Sequence, residues 1–258
     1  MATLTRKLSL ALLVLAVGLA ARPARSQQSP RTRKTVVLVH GAWADGSCWE
    51  KVIPALRANG LHVVAVQNPL TSLADDAAAV KRVLDDQTAP VVLVGHSWGG
   101  MVITEAGAHE KVAALVYVAA FAPDVGDSLL DLGKGGPPPP GAASVHADDA
   151  GFLWLSGEGM AKDFAQDLPP AETEVMTATQ GPIAAKAFGD KATRAAWKTK
   201  PSFYIVAEKD RMIPPELERA MAKKLGATTS SLPTSHVPMQ SRPKDVVAVI
   251  LAAVDKVK

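Results

Sequence analysis

Cysteine is almost missing from this chain: Cys48 stands alone among 258 residues. One thiol closes no internal disulfide and cannot supply the sulfur pair of a cysteine-rich zinc site. Its simplest role is that of a small buried hydrophobe on the first helix. Histidine is also scarce, six in all, and no pair shows H-x-x-x-H or H-E-x-x-H spacing. Neither a metal nor a cofactor is therefore expected. A lasting charge of one sign is lacking too. The formal charge is +3, but four basic residues (Arg6, Lys7, Arg22, Arg25) fall within the first 26 positions, which hold no acidic residue. Beyond them 24 basic residues face 25 acidic ones. That balance gives no electrostatic basis for binding nucleic acid or an acidic membrane. Nor is there an apolar run of membrane-spanning length. Residues 8–21 would reach about 21 Å as a helix, short of the ~30 Å hydrocarbon core. With Arg6 and Lys7 before it and Ala24-Arg25-Ser26 after it, this stretch reads as a secretory signal peptide over residues 1–26. Cleavage after Ala20 or Ala21 would also fit, and the arginines are not paired as a twin-arginine signal requires. The expectation is export to the periplasm or beyond, with no stable membrane anchor once the leader is removed.

What remains is rich in Ala and Val, 48% hydrophobic overall but only 5% aromatic. Residues 27–34 read as a polar tether, and residues 35–258 as one domain. Strand candidates are 35–39, 62–66, 90–94, 112–120, 202–207 and a weaker 227–232. The first five are near-continuous apolar runs, as expected of parallel strands covered on both faces. Helical patterns alternate with them at 72–86, 100–109, 214–225 and 243–257, and Ser47 is placed to cap an earlier one carrying Trp49, Val52, Ile53 and Leu56 on one face. The fold class is α/β, with right-handed crossovers and a doubly wound sheet. The alternation breaks over about residues 124–199. A proline-rich stretch, residues 135–141, reads as a stiff spacer. Short helical patterns follow with Phe152, Trp154, Met160, Phe164, Met176, Phe188 and Trp197, a density of large apolar residues that implies a packed helical cap.

The most informative segment is residues 91–100, VVLVGHSWGG. An apolar run ends in Gly95-His96-Ser97-Trp98-Gly99, a G-x-S-x-G pattern leading straight into a helix. Flanking glycines let the backbone turn sharply enough to lift one hydroxyl above a sheet edge. Ser97 is therefore the candidate nucleophile. A serine hydroxyl needs a base, and the base an orienting carboxylate. Two histidines lie downstream. His146 sits in the insertion beside Asp148 and Asp149 and reads as a solvated loop residue. His236 follows the last strand candidate directly, where the sheet edge would return a loop towards Ser97. Asp210, just after strand candidate 202–207, is the favoured carboxylate. Asp124 and Asp127, after the fourth strand, compete with it, and Glu208 is expected to face solvent. For the developing oxyanion, the donors would be the backbone N–H of Trp98 and that of Ala42, in the loop His40-Gly41-Ala42-Trp43. His40 is expected to be a structural hydrogen-bonder, and His96 a core residue pointing away from Ser97. Trp43, Trp154 and Met239 are the candidate substrate-pocket residues.

Together His40-Gly41-Ala42, Trp49, Gly95–Gly100, Asp210 and His236-x-x-Met239 resemble the methylesterase and hydroxynitrile lyase branch of α/β-hydrolases, bacterial members included. The similarity runs from about Thr35 to the C-terminus, strongest in the two loops around the oxyanion donors and in the His236 segment. It implies an α/β-hydrolase fold: a mainly parallel six-stranded sheet, a small cap and a mostly apolar pocket. It also implies Ser97, Asp210 and His236 as a triad, with Ala42 and Trp98 as oxyanion donors; the cap residues do not match. Three functions follow: hydrolysis of a small-molecule carboxylic ester through an acyl-serine, cyanohydrin cleavage on the same scaffold, or slow-turnover binding of a small molecule. A complete triad speaks against the third. The lyases of this branch carry threonine in place of Gly41 and lysine in place of Val237, so hydrolysis is favoured. A serine at position 97 excludes a haloalkane dehalogenase, whose nucleophile is an aspartate.

Overall fold

A computed structural model describes residues 34–257 apart from residue 89. The expected signal peptide and all of the tether but Lys34 lie outside the described residues. Lys34 is not a free linker residue: its ammonium donates to the carbonyls of Val254 and Val257, at 2.9 and 2.6 Å.

In chain order the strands are β1 (Thr35–Val39), β2 (His62–Val66), β3 (Val91–Ser97), β4 (Val112–Ala120), β5 (Val145–Ala147), β6 (Phe152–Leu155), β7 (Ile183–Ala184), β8 (Ser202–Ala207) and β9 (Thr228–Leu232). The helices are α1 (Ile53–Ala58), α2 (Leu73–Asp85), α3 (Gly99–Ala106), α4 (Leu129–Leu132), α5 (Gly157–Gly159), α6 (Pro170–Thr179), α7 (Pro215–Lys224), α8 (Pro238–Ser241) and α9 (Pro243–Lys256). Six strands form one parallel sheet in the order β2-β1-β3-β4-β8-β9. β1, β3 and β8 are buried along their whole length, which is why their sequences show no polar alternation. β9, TTSSL, lies at the sheet edge and is largely exposed. The chain builds from β1 outward to β2, then crosses back to β3 and grows the other way. The switch in direction falls between β1 and β3, whose ends lie in register with Val39 opposite Gly95. A crevice opens at such a point outside the carboxyl ends of the strands. The loop after β1 and the turn after β3 line it.

Several local expectations are corrected. Asp45, not Ser47, caps the first helical segment, a 3₁₀ turn over Gly46–Trp49, by accepting from the Ser47 N–H at 2.6 Å. Cys48 lies in that turn, ahead of α1. The strand carrying Ser97 runs on to the serine itself, and the helix after it stops at Ala106. The cap between β4 and β8 is not purely helical, because β5, β6 and β7 form a three-stranded antiparallel sheet. Phe152-Leu153-Trp154-Leu155 suits a strand as well as a helix. Tertiary pairing decides, closed by a tight turn in which Gly151 has φ +81° and Asp148 accepts from the N–H groups of Ala150 and Phe152. The proline-rich stretch is no free spacer either. Pro140 opens a 3₁₀ turn, and the Gly141 N–H donates to the Arg211 carbonyl at 2.9 Å.

Candidate active site

Ser97 ends β3 with φ +52°, a left-handed conformation that a residue bearing a side chain adopts only when its surroundings enforce it. The enforcement is steric and local. A Cβ at Gly99 would lie 2.6 Å from the Val39 carbonyl oxygen, and one at Gly41 would lie 2.7 Å from the Ser97 Cβ. Only bare backbone lets the turn after β3 and the loop after β1 come this close. On the far side the Phe121 N–H donates to the Ser97 carbonyl at 3.2 Å.

Asp210 follows β8 on a tight loop. Its Oδ1 accepts from the N–H groups of Met212 and Ile213, at 2.6 and 2.8 Å, which fixes the carboxylate plane. Its Oδ2 then meets Nδ1 of His236 at 2.5 Å, both side chains almost wholly buried. His236 is held a second way, since His96, next to Ser97 in sequence, donates from Nε2 to the His236 carbonyl at 2.8 Å. Burial holds the His96 imidazole well below the ordinary histidine range, so it acts there as a neutral donor. The remaining ring nitrogen of His236, Nε2, is buried and has no hydrogen-bond partner among the described residues. Asp210 and His236 are thus brought together, with His236 tied to the segment that carries Ser97. The competing groups are elsewhere: Asp124 pairs with Lys198, Asp127 with Lys224, and His146 is exposed on β5.

His40 anchors the loop after β1. Its Nδ1 donates to the Gly41 carbonyl and its Nε2 accepts the Asn68 N–H, each at 2.9 Å, and burial keeps the ring neutral. Among the described residues neither the Ala42 N–H nor the Trp98 N–H is given to a backbone carbonyl. The Trp98 indole donates to Oδ2 of Asp76 at 2.7 Å, and Oδ1 of Asp76 takes the Leu70 N–H at 2.8 Å. Burial pushes that carboxyl up to about 6 despite both bonds. Cys48 is buried and its thiol is raised by that burial, which leaves it inert.

Ser97, Ala42 and Trp98 border a cavity of about 350 Å³. Its other walls include Trp43, Phe121, Leu129, Phe188, Met212 and Leu217, and no lining side chain is charged. Of the expected pocket residues only Trp43 is there. Trp154 lies on β6, its indole donates to the exposed Asp148 at 3.0 Å, and it is not among the cavity walls. Met239 is fully buried among core side chains at α8 and does not reach the cavity. Two residues expected only as packing within the cap stand at the site instead. Phe164, from a π-helical turn over Met160–Phe164, sets its ring against His236 with centroids 4.9 Å apart at 73°. Phe188 packs edge-on against Trp43.

The sequence pattern of the alpha/beta hydrolase family matches residues 36–249. The chain belongs to the alpha/beta hydrolase family. It is 28% identical to a pyrethroid hydrolase of Sphingobium wenxiniae over 248 residues, covering 83% of this chain and 85% of that one. It is 27% identical to methylesterase 3 of Arabidopsis thaliana, over 87% of this chain and 97% of that one. The crystal structure of a pyrethroid hydrolase from Sphingobium faniae superposes with a TM-score of 0.75 at 25% identity, covering 87% of this chain and 98% of that one. These relatives place the hydrolase in a methylesterase-like branch, as the residue pattern implied.

Proposed function

We propose that this hydrolase cleaves uncharged carboxylic esters through an acyl-serine, with Ser97 as nucleophile, His236 as general base and acid, and Asp210 orienting the imidazole. The observation that carries the reading is the 2.5 Å Asp210–His236 bond, which fixes the proton on Nδ1 and leaves Nε2 unpartnered. In that tautomer Nε2 accepts the Ser97 hydroxyl proton as Oγ attacks the ester carbonyl. The charge that develops on the carbonyl oxygen meets the N–H groups of Ala42 and Trp98, the second at the start of α3. Nε2 then returns the proton to the departing alkoxide, and water repeats the sequence to release the acid. A lining without charge favours esters that are apolar on both sides of the scissile bond. The names of a pyrethroid hydrolase and a methylesterase among the relatives support ester chemistry. Cyanohydrin cleavage is disfavoured because Val237, fully buried, puts no cation beside His236, and the space at Gly41 admits no side chain without a shift.

The test is Ser97→Ala assayed on chromogenic esters of increasing acyl length, with the wild type also treated with a serine-reactive phosphonate. We expect loss of turnover by several orders of magnitude, an unchanged fold, and one phosphonate per wild-type chain. More than a few per cent residual turnover in clean Ser97→Ala protein would sink the assignment.

A further inference from the structure

The side chain of Glu218 is one of the most deeply buried carboxyl groups in the fold, with no accessible surface. It stands in the first turn of α7 and points at the back of the Asp210 loop. Its Oε2 accepts the Ala207 N–H, at the end of β8, at 2.9 Å. Its Oε1 is buried and, among the described residues, has no donor to accept from. A carboxylate left in that state would carry a buried charge with one oxygen unpaired, which folded proteins avoid. The neutral acid has a partner to turn to: Ala207, whose N–H it holds, also accepts the Asp210 N–H at 3.2 Å, so both carboxyl groups belong to residues bonded to the same end of β8. Burial, followed by the negative charge of Asp210, raises the Glu218 carboxyl well above the usual range. The other groups facing it do not reverse this. Tyr204, on β8, is a buried neutral phenol, and the Arg219 guanidinium is exposed and engaged with Glu208 and Glu216.

We propose that Glu218 is a positioning residue of the triad: a neutral carboxylic acid that donates a hydrogen bond from Oε1 to the Asp210 carboxylate. The bond completes a chain from the end of β8 through Glu218, Asp210 and His236 to the site of attack. The Asp210 carboxylate then has donors on every side: two backbone N–H groups, the imidazole and the Glu218 hydroxyl. The fourth donor holds the carboxylate plane against rotation. It also draws negative charge away from the carboxylate oxygen that faces the imidazole. No proton leaves Glu218 during turnover.

This inference rests on the triad reading above, but its deciding measurement needs no substrate. Infrared difference spectra of wild type against Glu218→Gln, both at pH 8, report the protonation state directly. We expect a protonated-acid carbonyl band in the wild type that the variant lacks. An ionised carboxylate signature in its place overturns the proposal, whatever the fate of Ser97→Ala. Kinetics supply the functional half. Glu218→Leu should lower kcat about ten- to a hundredfold with little change in KM. Its acid limb in kcat/KM should move to higher pH, because an Asp210 short of one donor stabilises the imidazolium more. Glu218→Gln, whose amide both accepts from Ala207 and donates to Asp210, should restore rate and pH profile. If Glu218→Leu does not fold, Glu218→Gln alone still decides: a rate reduced as far as that expected for Glu218→Leu overturns the proposal.

Discussion

At the scale of single residues, Asp210 shows how strictly local bonding sets chemistry. Its Oδ1 is claimed by two backbone N–H groups. In Asp210→Asn the amide oxygen must serve those donors, which turns the NH₂ towards Nδ1 of His236. The imidazole then takes the other tautomer, with its proton on Nε2, and cannot accept one from Ser97. We expect a loss of about 10⁴ in kcat with the fold retained, and little change for Asp124→Asn, measured side by side; the reverse ranking would move the acid to the loop after β4. Trp43 makes a second case. It has φ +56° and borders both the Ser97 cavity and a neighbouring cleft of about 360 Å³ floored by Cys48 and Gln240. Trp43→Gly suits that backbone and opens the wall, so kcat/KM should rise for bulky esters relative to acetates. An unchanged preference across the ester panel would show that another residue divides the two spaces. Ser97, Asp210 and His236 could be singled out from sequence as candidates because chemistry-bearing residues are few and each stands at or beyond the end of a strand. Glu218 could not, since nothing local separates it from the exposed Glu216 on the same helix. The same limit applies to Trp154, chosen in place of Phe164 and Phe188, because facing depends on pairing that residue type does not reveal.

Among elements, the contact between α2 and the start of α3 is the most telling. Asp76 on α2 ties the Trp98 indole and the Leu70 N–H together through its two oxygens, and Leu70 itself has φ +57°. The folded protein holds the Asp76 proton more tightly than the unfolded chain, with a value of about 6 against an ordinary 3.8. The stability linked to this site is therefore complete below the ordinary value and is lost as pH rises through about 6, by about 3 kcal/mol across the window. Asp76→Asn does not titrate, so the stability of wild type relative to the variant should fall by most of that amount between pH 4 and 7 in urea unfolding. A difference independent of pH would contradict it. The strands of the large sheet were legible element by element, since burial on both faces leaves near-continuous apolar runs. The cap was legible only as a packed insertion. Its strands have two to four residues, too short for a period to declare itself, and the π-helical turn that presents Phe164 has no sequence signature.

For the molecule as a whole, the order of strands and helices announced the doubly wound sheet, and the switch point between β1 and β3 follows from that order. The first 26 residues add a matter of destination. We propose export with loss of about that length, on the basic start, short apolar run and small-x-small site. N-terminal sequencing of protein recovered from its native host should begin near residue 27; an intact Met1 on mature protein would refute it. No helix among the described residues is long and apolar enough to cross a membrane.

The cap is fastened to the two loops that bear Asp210 and His236. Asp163 binds the Arg211 guanidinium, Gln166 donates to the Lys209 carbonyl, and Asp167 accepts the Ser235 N–H at 2.9 Å. The lid and these two loops therefore interlock. A chimera that takes a relative's lid to borrow its substrate range would strip Arg211 and Ser235 of their partners and loosen the neighbours of Asp210 and His236. Transplants that bring the receiving loops along with the lid should keep their turnover, whereas those cut at the sheet boundary should lose it before substrate choice is ever tested.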